Sequence, residues 1–510
     1  MKLYFPLLIV SILFLYGCGN TSTKDDLSLN KYILLDSAIA GVCYECGEDS
    51  GITGKEGEFF CQKGSVVEFS VGNVYLGGLL LISNDLYVTP ADLYGLQRTD
   101  IFDKRVMNFV QFVQSLDNDA DPSNGIEIDE STRNVLREYY LDLSDENVDE
   151  LDIERIILAI GKQMISRSKA LDHYAKSIST ILHVAISPST EPLYSQQWYL
   201  DYNDTVYASY AIDENASIHA SYLPNIYTGK GVKIAIIDDG LDVNHEDLQG
   251  AIATTYSIVS NTSNLSLLNS DSYHGTAVTG IIGARVNTVG IEGIANGADI
   301  IFLQYKADMS DSETIELFNK AEELGADIIN CSWGTYDVSL AVKEKIQELA
   351  INGRNGKGIV IVFAAGNDNR EMGNDESAIP EVIAVGSTDK DNLRAWYSNY
   401  GKNLDIVAPG GYDIGITTLD PMDDQGVGVF NKNYLLMNDP NSFIGTSASA
   451  PIVSGTIALL LEQKPDLTRE EIENILKRSC DKIGKIPYEN GKNDYYGYGK
   501  INLQKVLEQD

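Results

Sequence analysis

The sequence predicts an α/β protein built on a mainly parallel sheet flanked by helices, preceded by a smaller region that is first β-rich and then helical. Three observations predict it. From Gly231 onward, short β-forming runs (232–237, 300–303, 327–331, 359–363 and 382–385) alternate with helical segments, the rhythm of parallel strands joined by helical crossovers. From Tyr32 to about Ser83 the pattern is strand-like with glycines as punctuation, and Val66–Val71 alternates as a half-buried strand does. The chain has 510 residues, too many for one ordinary core, so two or three domains are expected.

The first segment is a targeting signal. Lys2 supplies a positive start, residues 3–16 are almost purely apolar, and small Gly17 and Cys18 precede a polar run. Such a stretch is short for a transmembrane helix and reads as a secretory signal. Leu15-Tyr16-Gly17-Cys18 resembles the lipobox of bacterial lipoproteins. That resemblance implies a signal peptide at 1–17, lipidation of Cys18, and an exported lipoprotein held at a membrane, periplasmic or on the cell surface.

Residues 18–30 read as a polar linker and 31–187 as a separate module. Met107, Phe109, Val110, Phe112 and Val113 fit one amphipathic helix; Val135, Leu136, Tyr139 and Tyr140 fit another; a longer helical stretch runs from about Glu150 to His183. The proline pair Pro188 and Pro192 then marks a boundary, with the α/β domain at 188–510. Gly41-Val42-Cys43-Tyr44 and residues 116–126 resemble a small β-rich module of other exported bacterial lipoproteins. Asp117, Asp119 and Asp121 are spaced as in a calcium loop. Yet Pro122 stands where an EF-hand needs glycine and Ile128 where it needs glutamate, so a structural or weak calcium turn is expected. With Cys18 acylated, Cys43, Cys46 and Cys61 are an odd set, and one disulfide plus one free thiol is the simplest arrangement. Cys331 and Cys480 lie in apolar runs and read as inert core residues.

The formal net charge of -36 argues against nucleic-acid binding and favours bound cations and basic partners. Most of these carboxylates are expected to be plain solvated surface.

Three motifs carry chemistry. Ile236-Ile237-Asp238-Asp239-Gly240 ends a buried strand in a carboxylate, His274-Gly275-Thr276 opens a helix with an imidazole, and Gly445-Thr446-Ser447 places a hydroxyl at the start of an apolar helix. Ser447 becomes a nucleophile once a base takes its proton; His274 can do so, with Asp238 holding the tautomer and stabilising the imidazolium. Asn367, in Ala364-Ala365-Gly366-Asn367, can supply an oxyanion donor together with the backbone N–H of Ser447. Each residue alone has an ordinary reading as a strand end, helix start, N-cap or turn former. Their order and their extended motifs together do not.

These motifs resemble those of the subtilisin-like peptidases over about 191–510, and within them the kexin and furin branch, on Asp238-Asp239, Gly445–Pro451 and Cys331-Ser332-Trp333-Gly334. The resemblance implies a serine endopeptidase acting on protein or peptide substrates through an acyl-enzyme. Ser332, Trp333 and Gly334 become the substrate-binding strand. Asp239 near S2 and Asp337 near S1 become acids that would select basic residues, and among the acids after Asn367, Glu371 or Asp375 would line S1 or face water. It also implies structural calcium, with Asp247 and Asn287 as side-chain ligands, Arg285, Val289 and Ile291 as carbonyl ligands, and Glu191 or Gln196 completing the set. The P domain that follows the catalytic domain in kexins is missing before Asp510, so convertase behaviour does not follow. Region 31–187 is either an inhibitory propeptide or a permanent docking module. A surface binding protein with an inert protease domain is the competing class.

Overall fold

The computed structural model describes residues 29–83, 85–183, 189–221, 226–265 and 272–508. The expected signal, Cys18 and Pro188 lie outside the described residues. The chain divides into two compact units, Met1–Ile186 and Ser187–Asp510.

In the second unit, the strand Lys233–Asp238 (KIAIID) is buried at every position after the first, the burial that a central parallel strand requires. It stands third in a seven-stranded sheet. The order is Ile252–Ser257, Asp299–Gln304, Lys233–Asp238, Ile328–Cys331, Val360–Ala364, Ile383–Thr388 and Ile406–Pro409. Every pairing is parallel. Successive side chains point to opposite faces, so each face has its own core. Ile234, Ile236, Phe302 and Val362 pack with the helices His274–Gly283 and Thr446–Gln463. Ala235, Ile237, Leu303 and Phe363 pack with Asp311–Glu323 and Leu340–Gly356.

The helix Thr446–Gln463 is buried almost all round, which explains why its sequence is apolar on every side. The strand order turns back on itself around Lys233–Asp238, whose neighbours lead away to opposite edges. A crevice outside the carboxyl ends of the strands at such a point is where α/β proteins place ligands. Asp238 is the last residue of that strand.

The five strand runs read from the sequence are all present, with ends that differ by up to three residues. Two strands were not foreseen. Ile252–Ser257 is a partly exposed edge rich in threonine, and Ile406–Pro409 is four residues ending in proline; neither carries a long apolar run.

The first unit contains a five-stranded and a three-stranded sheet with the helices Lys104–Ser115, Glu150–Ala159 and Arg167–Leu182. The stretch from Glu150 to His183 is two helices rather than one, broken near Gly161, which adopts φ 78° and so favours glycine. The expected helix through Tyr140 stops early. Glu130–Val135 passes into the 3-10 turn Leu136–Glu138, and Tyr139 is extended. Cys46 and Cys61 form a disulfide; closing a loop of 15 residues contributes about 3 kcal/mol. Cys331 and Cys480 are free and buried.

In the loop 117–127, Asp117 accepts from the N–H groups of Asp121 and Glu127, and Asp119 accepts from Asp121 N and Asn124 Nδ2. The Lys162 ammonium donates to the carbonyls of Leu116 and Asp117 at 2.8 Å. The loop is thus organised by its own donors and a lysine.

Asp36 is fully buried beneath the helix Lys104–Ser115. Its Oδ2 accepts from Gln114 Nε2 at 2.8 Å, His173 Nε2 stands 3.8 Å from Oδ1, and Oδ1 has no hydrogen bond. Burial pushes its pKa up to about 8, partly offset by the Gln114 bond. The folded state therefore holds a proton that the unfolded chain releases near pH 4. This contribution to stability is fully present below pH 4 and is lost as pH rises toward 8. Asp36→Asn is expected to raise stability at pH 8 by about 2 kcal/mol or more and to flatten the pH dependence. Urea unfolding followed by circular dichroism at pH 5 and pH 8 checks this; an unchanged profile would contradict a protonated Asp36.

Candidate active site

The three motifs converge at the carboxyl ends of the central strands. Asp238 is wholly buried, and its Oδ1 lies 2.8 Å from His274 Nδ1 while also accepting from the N–H of Asp239 at 2.8 Å. One carboxylate oxygen each of Asp238 and Asp239 and one ring nitrogen of His274 lie within 4.8 Å of one another. The His274 ring packs edge-on against Phe443, centroids 5.3 Å apart. Burial works against a charged His274. The charge and hydrogen bond of Asp238, with Asp239 adding, outweigh it and hold the imidazole above its ordinary pKa.

Ser447 is the second residue of the helix Thr446–Gln463. Gly445 precedes it at φ 136°, a conformation only glycine adopts without strain, and this turns the serine into the crevice. Pro451 lies inside the helix and has no N–H to donate to the carbonyl four residues earlier, which is that of Ser447. The Ser447 carbonyl instead accepts from Ser332 Oγ at 3.0 Å, and the Ser447 hydroxyl donates to the Ser332 carbonyl at 3.0 Å. Ser332 directly follows the strand Ile328–Cys331, where Cys331 pairs with Ile237, so it lies beside Asp238. In this structure the Ser447 hydroxyl is thus engaged with the Ser332 carbonyl rather than with His274.

A buried polar chain holds the pair in place. Ser454 Oγ donates to Asn330 Oδ1 at 2.8 Å, and Asn330 Nδ2 donates to Ser332 Oγ at 3.0 Å. The sequence reading passed over Asn330 and Phe443. A lone asparagine within an apolar strand run was the available signal for the first.

Asn367 follows Gly366, whose φ of 97° and close approach to Asn399 leave no room for a side chain. Asn367 Oδ1 accepts from both Thr446 N and Thr446 Oγ1 at 2.9 Å. With its oxygen occupied, the amide turns Nδ2 toward the Gly445–Ser447 turn, 3.2 Å from where a Cβ on Gly445 would stand.

The strand end 332–334 is fixed by Trp333, whose Nε1 donates to Ile237 O at 2.8 Å and whose ring meets Tyr305 and Phe363. Gly334 is exposed. Asp239 Oδ1 accepts from Gly275 N at 2.9 Å; burial, with the Asp238 charge adding, pushes Asp239 up to about 6. Asp337 is exposed, and its Oδ1 accepts from Asn374 Nδ2 at 2.7 Å. Glu371 is exposed, whereas Asp375 is buried.

A second constellation surrounds Asp247, which is wholly buried. Its backbone carbonyl accepts from Arg285 N at 2.8 Å and its Oδ2 accepts from Ile291 N at 3.0 Å, so both ends of the loop 285–291 close on it. Asn287 Oδ1 accepts from Val289 N. Of Glu191 and Gln196, it is Glu191 whose carboxylate meets the loop: Oε1 accepts from Asn287 N at 2.9 Å and Thr288 N at 2.8 Å. Asp247 Oδ1 and Glu191 Oε2 are both buried without a hydrogen-bond partner. Burial, with the Glu191 charge adding to the rise, pushes Asp247 up to about 7. Two orphaned carboxylate oxygens beside an asparagine and a carbonyl-rich loop are the hard oxygen donors that calcium takes.

Comparison with known proteins gives a consistent picture. The profile of the Subtilase family matches residues 229–499. The calcium-dependent protease of Nostoc sp. (strain PCC 7120) is 34% identical over 347 residues, covering 62% of this chain and 51% of that protein. The thermophilic serine proteinase of Bacillus sp. (strain AK1) is 33% identical over 311 residues, 60% of this chain and 69% of that protein. The chain thus spans about half the length of the calcium-dependent proteases it matches. The crystal structure of the Aeromonas sobria serine protease with its chaperone superposes with a TM-score of 0.55 at 21% identity, over 64% of this chain and 67% of that one, a likeness of fold.

Because the Asp238 carboxylate raises the pKa of the imidazole, the His274 ring is expected to titrate above an ordinary histidine, and its pKa is expected to fall in Asp238→Asn. Nitrogen-15 NMR of the labelled ring checks this; an unchanged titration would contradict the pairing.

Proposed function

The chain belongs to the Subtilase family of serine peptidases, and from that premise we propose that it is an exported, lipid-anchored, calcium-stabilised endopeptidase. The observation that carries the proposal is the convergence of Asp238, His274 and Ser447 on one crevice, with Asn367 aimed at the same turn. In this reading a substrate strand lies along Ser332–Gly334 and places its scissile carbonyl over Ser447. His274 takes the hydroxyl proton as the oxygen attacks, and Asp238 stabilises the imidazolium formed. The oxyanion is received by Asn367 Nδ2 and Ser447 N–H at the positive end of the helix Thr446–Gln463. The protonated His274 then gives its proton to the leaving amine, and water resolves the acyl-enzyme by the same path in reverse.

Calcium fits the Asp247 constellation: Asp247, Asn287 and Glu191 would hold it with the carbonyls of Arg285, Val289 and Ile291. It would supply positive charge between two buried carboxylates that otherwise repel. Glu191 begins the segment leading into the catalytic unit, and Leu193 N donates to Gly290 O at 2.7 Å, so the ion would fasten that segment to the loop. The calcium-dependent protease among the relatives supports this reading.

Lipidation of Cys18 rests on the N-terminal residues. A preference for basic residues rests on the acids beside the crevice, Asp239 foremost. The first unit is either a propeptide or a docking module; the intact mass of the purified protein separates the two, since cleavage near residue 190 would release the catalytic unit.

Ser447→Ala is expected to abolish labelling by a fluorophosphonate, and Asn367→Ala to lower kcat about 10²–10³-fold, the scale of loss measured for the corresponding asparagine in a subtilisin. Labelling of Ser447→Ala equal to wild type would sink the assignment, and no labelling of either would favour a masked zymogen or an inert domain. Removing calcium with EGTA is expected to lower Tm by about 5 °C or more, and Glu191→Gln to weaken calcium binding measured by calorimetry. An unchanged Tm would end the structural role of the ion.

A further inference from the structure

We propose that Glu376, rather than the exposed Asp337, is the residue that selects substrate at S1, by pairing with the side chain of a P1 arginine or lysine. The inference rests on the peptidase reading above and deepens it by naming the residue and the substrate class.

The strand end that follows Cys331 runs directly past Ser447, to which Ser332 is tied by reciprocal hydrogen bonds. Gly334 and Thr335 lie two and three residues further on, roughly 7–10 Å along an extended chain, the reach of a long basic side chain. Beneath them stands Glu376, only 2% exposed. Its Oε2 accepts from Thr335 N and its Oε1 from Thr335 Oγ1, both at 2.8 Å. A Cβ placed on Gly334 would come within 3.8 Å of that Oε2, so the absence of a side chain at 334 leaves the carboxylate approachable from the substrate strand.

The segment after Asn367 packs against the same strand end. Val338 N donates to Asn374 O at 2.8 Å, Asn374 Nδ2 donates to Asp337 at 2.7 Å, and the Arg370 guanidinium lies over the Tyr336 ring at 4.7 Å. Those contacts engage the alternatives. Asp337 is at the surface with its oxygen occupied, and Arg370 pairs with Asp368 at 3.3 Å. Glu376 is in no ion pair among the described residues. Both its hydrogen bonds come from neutral donors of one threonine, which leaves a buried carboxylate charge uncompensated. Lone-pair positions remain on both oxygens, and a guanidinium or ammonium delivered by the substrate supplies the missing charge through a charge-assisted pair. A neutral P1 side chain leaves the carboxylate as it is, and this difference is what produces selectivity.

The test compares kcat/KM for peptides differing only at P1, arginine against leucine, for wild type, Glu376→Gln and Asp337→Asn. Glutamine keeps an acceptor for Thr335 and removes the charge. Wild type is expected to favour arginine by about 10²-fold or more, with the ratio falling at least tenfold in Glu376→Gln, mainly through KM, and by less than threefold in Asp337→Asn. Competitive inhibition of wild type by benzamidine needs no variant and is expected as well. A wild type that takes the fluorophosphonate yet cleaves after leucine as readily as after arginine would overturn the specificity and leave the peptidase intact. An arginine preference lost in Asp337→Asn but kept in Glu376→Gln would move the role to Asp337. Failure of wild type to take the probe would remove both readings together.

Discussion

Ser447 and Ser332 hold each other by two hydrogen bonds, hydroxyl to carbonyl in each direction, and the rest of the crevice depends on that junction. It joins the first turn of the buried helix Thr446–Gln463 to the end of a central strand. The junction exists because Pro451 cannot donate to the Ser447 carbonyl, which leaves that oxygen for Ser332. The same turn presents Thr446 to Asn367, so one glycine-preceded helix start orients Ser447, the strand end 332–334 and Asn367. Asn330 and Ser454 extend the junction into the core, where a buried polar chain with every member bonded rigidifies its surroundings.

Buried carboxylates dominate the electrostatics of the catalytic unit. Asp238 is compensated by His274. Asp247 and Glu191 face each other with an orphaned oxygen apiece, an arrangement that costs stability until a cation joins it. Glu376 has hydrogen bonds without a counter-charge. In the proposed reading these three cases are resolved by three different means: an internal base, a metal ion and a substrate side chain. The overall charge of -36 describes none of them, since it is set mostly by exposed groups.

The motifs were legible in the sequence because the chemistry leaves few choices. A strand must end in Asp238, a helix must open at His274, and glycine must precede Ser447. Five of the seven sheet strands were legible for a similar reason, since burial on both faces demands an unbroken apolar run. Edge strands such as Ile252–Ser257 lack that demand and were missed. In the first unit the helix expected through Tyr140 failed because local periodicity cannot report where packing ends a helix.

By itself the sequence determined the parallel α/β architecture, the identities of Asp238, His274, Ser447 and Asn367, and the loop that closes on Asp247. Each of these is written in local patterns of apolar period, glycine and motif. Only the tertiary structure decided that Glu376 is buried against Thr335, that Glu191 rather than Gln196 meets the loop 285–291, and that Asn330 supports Ser332. Those facts concern burial and contact between residues far apart in the chain. Two carboxylates with equal standing in a sequence, such as Asp337 and Glu376, differ once folding leaves one in water and removes the other from it.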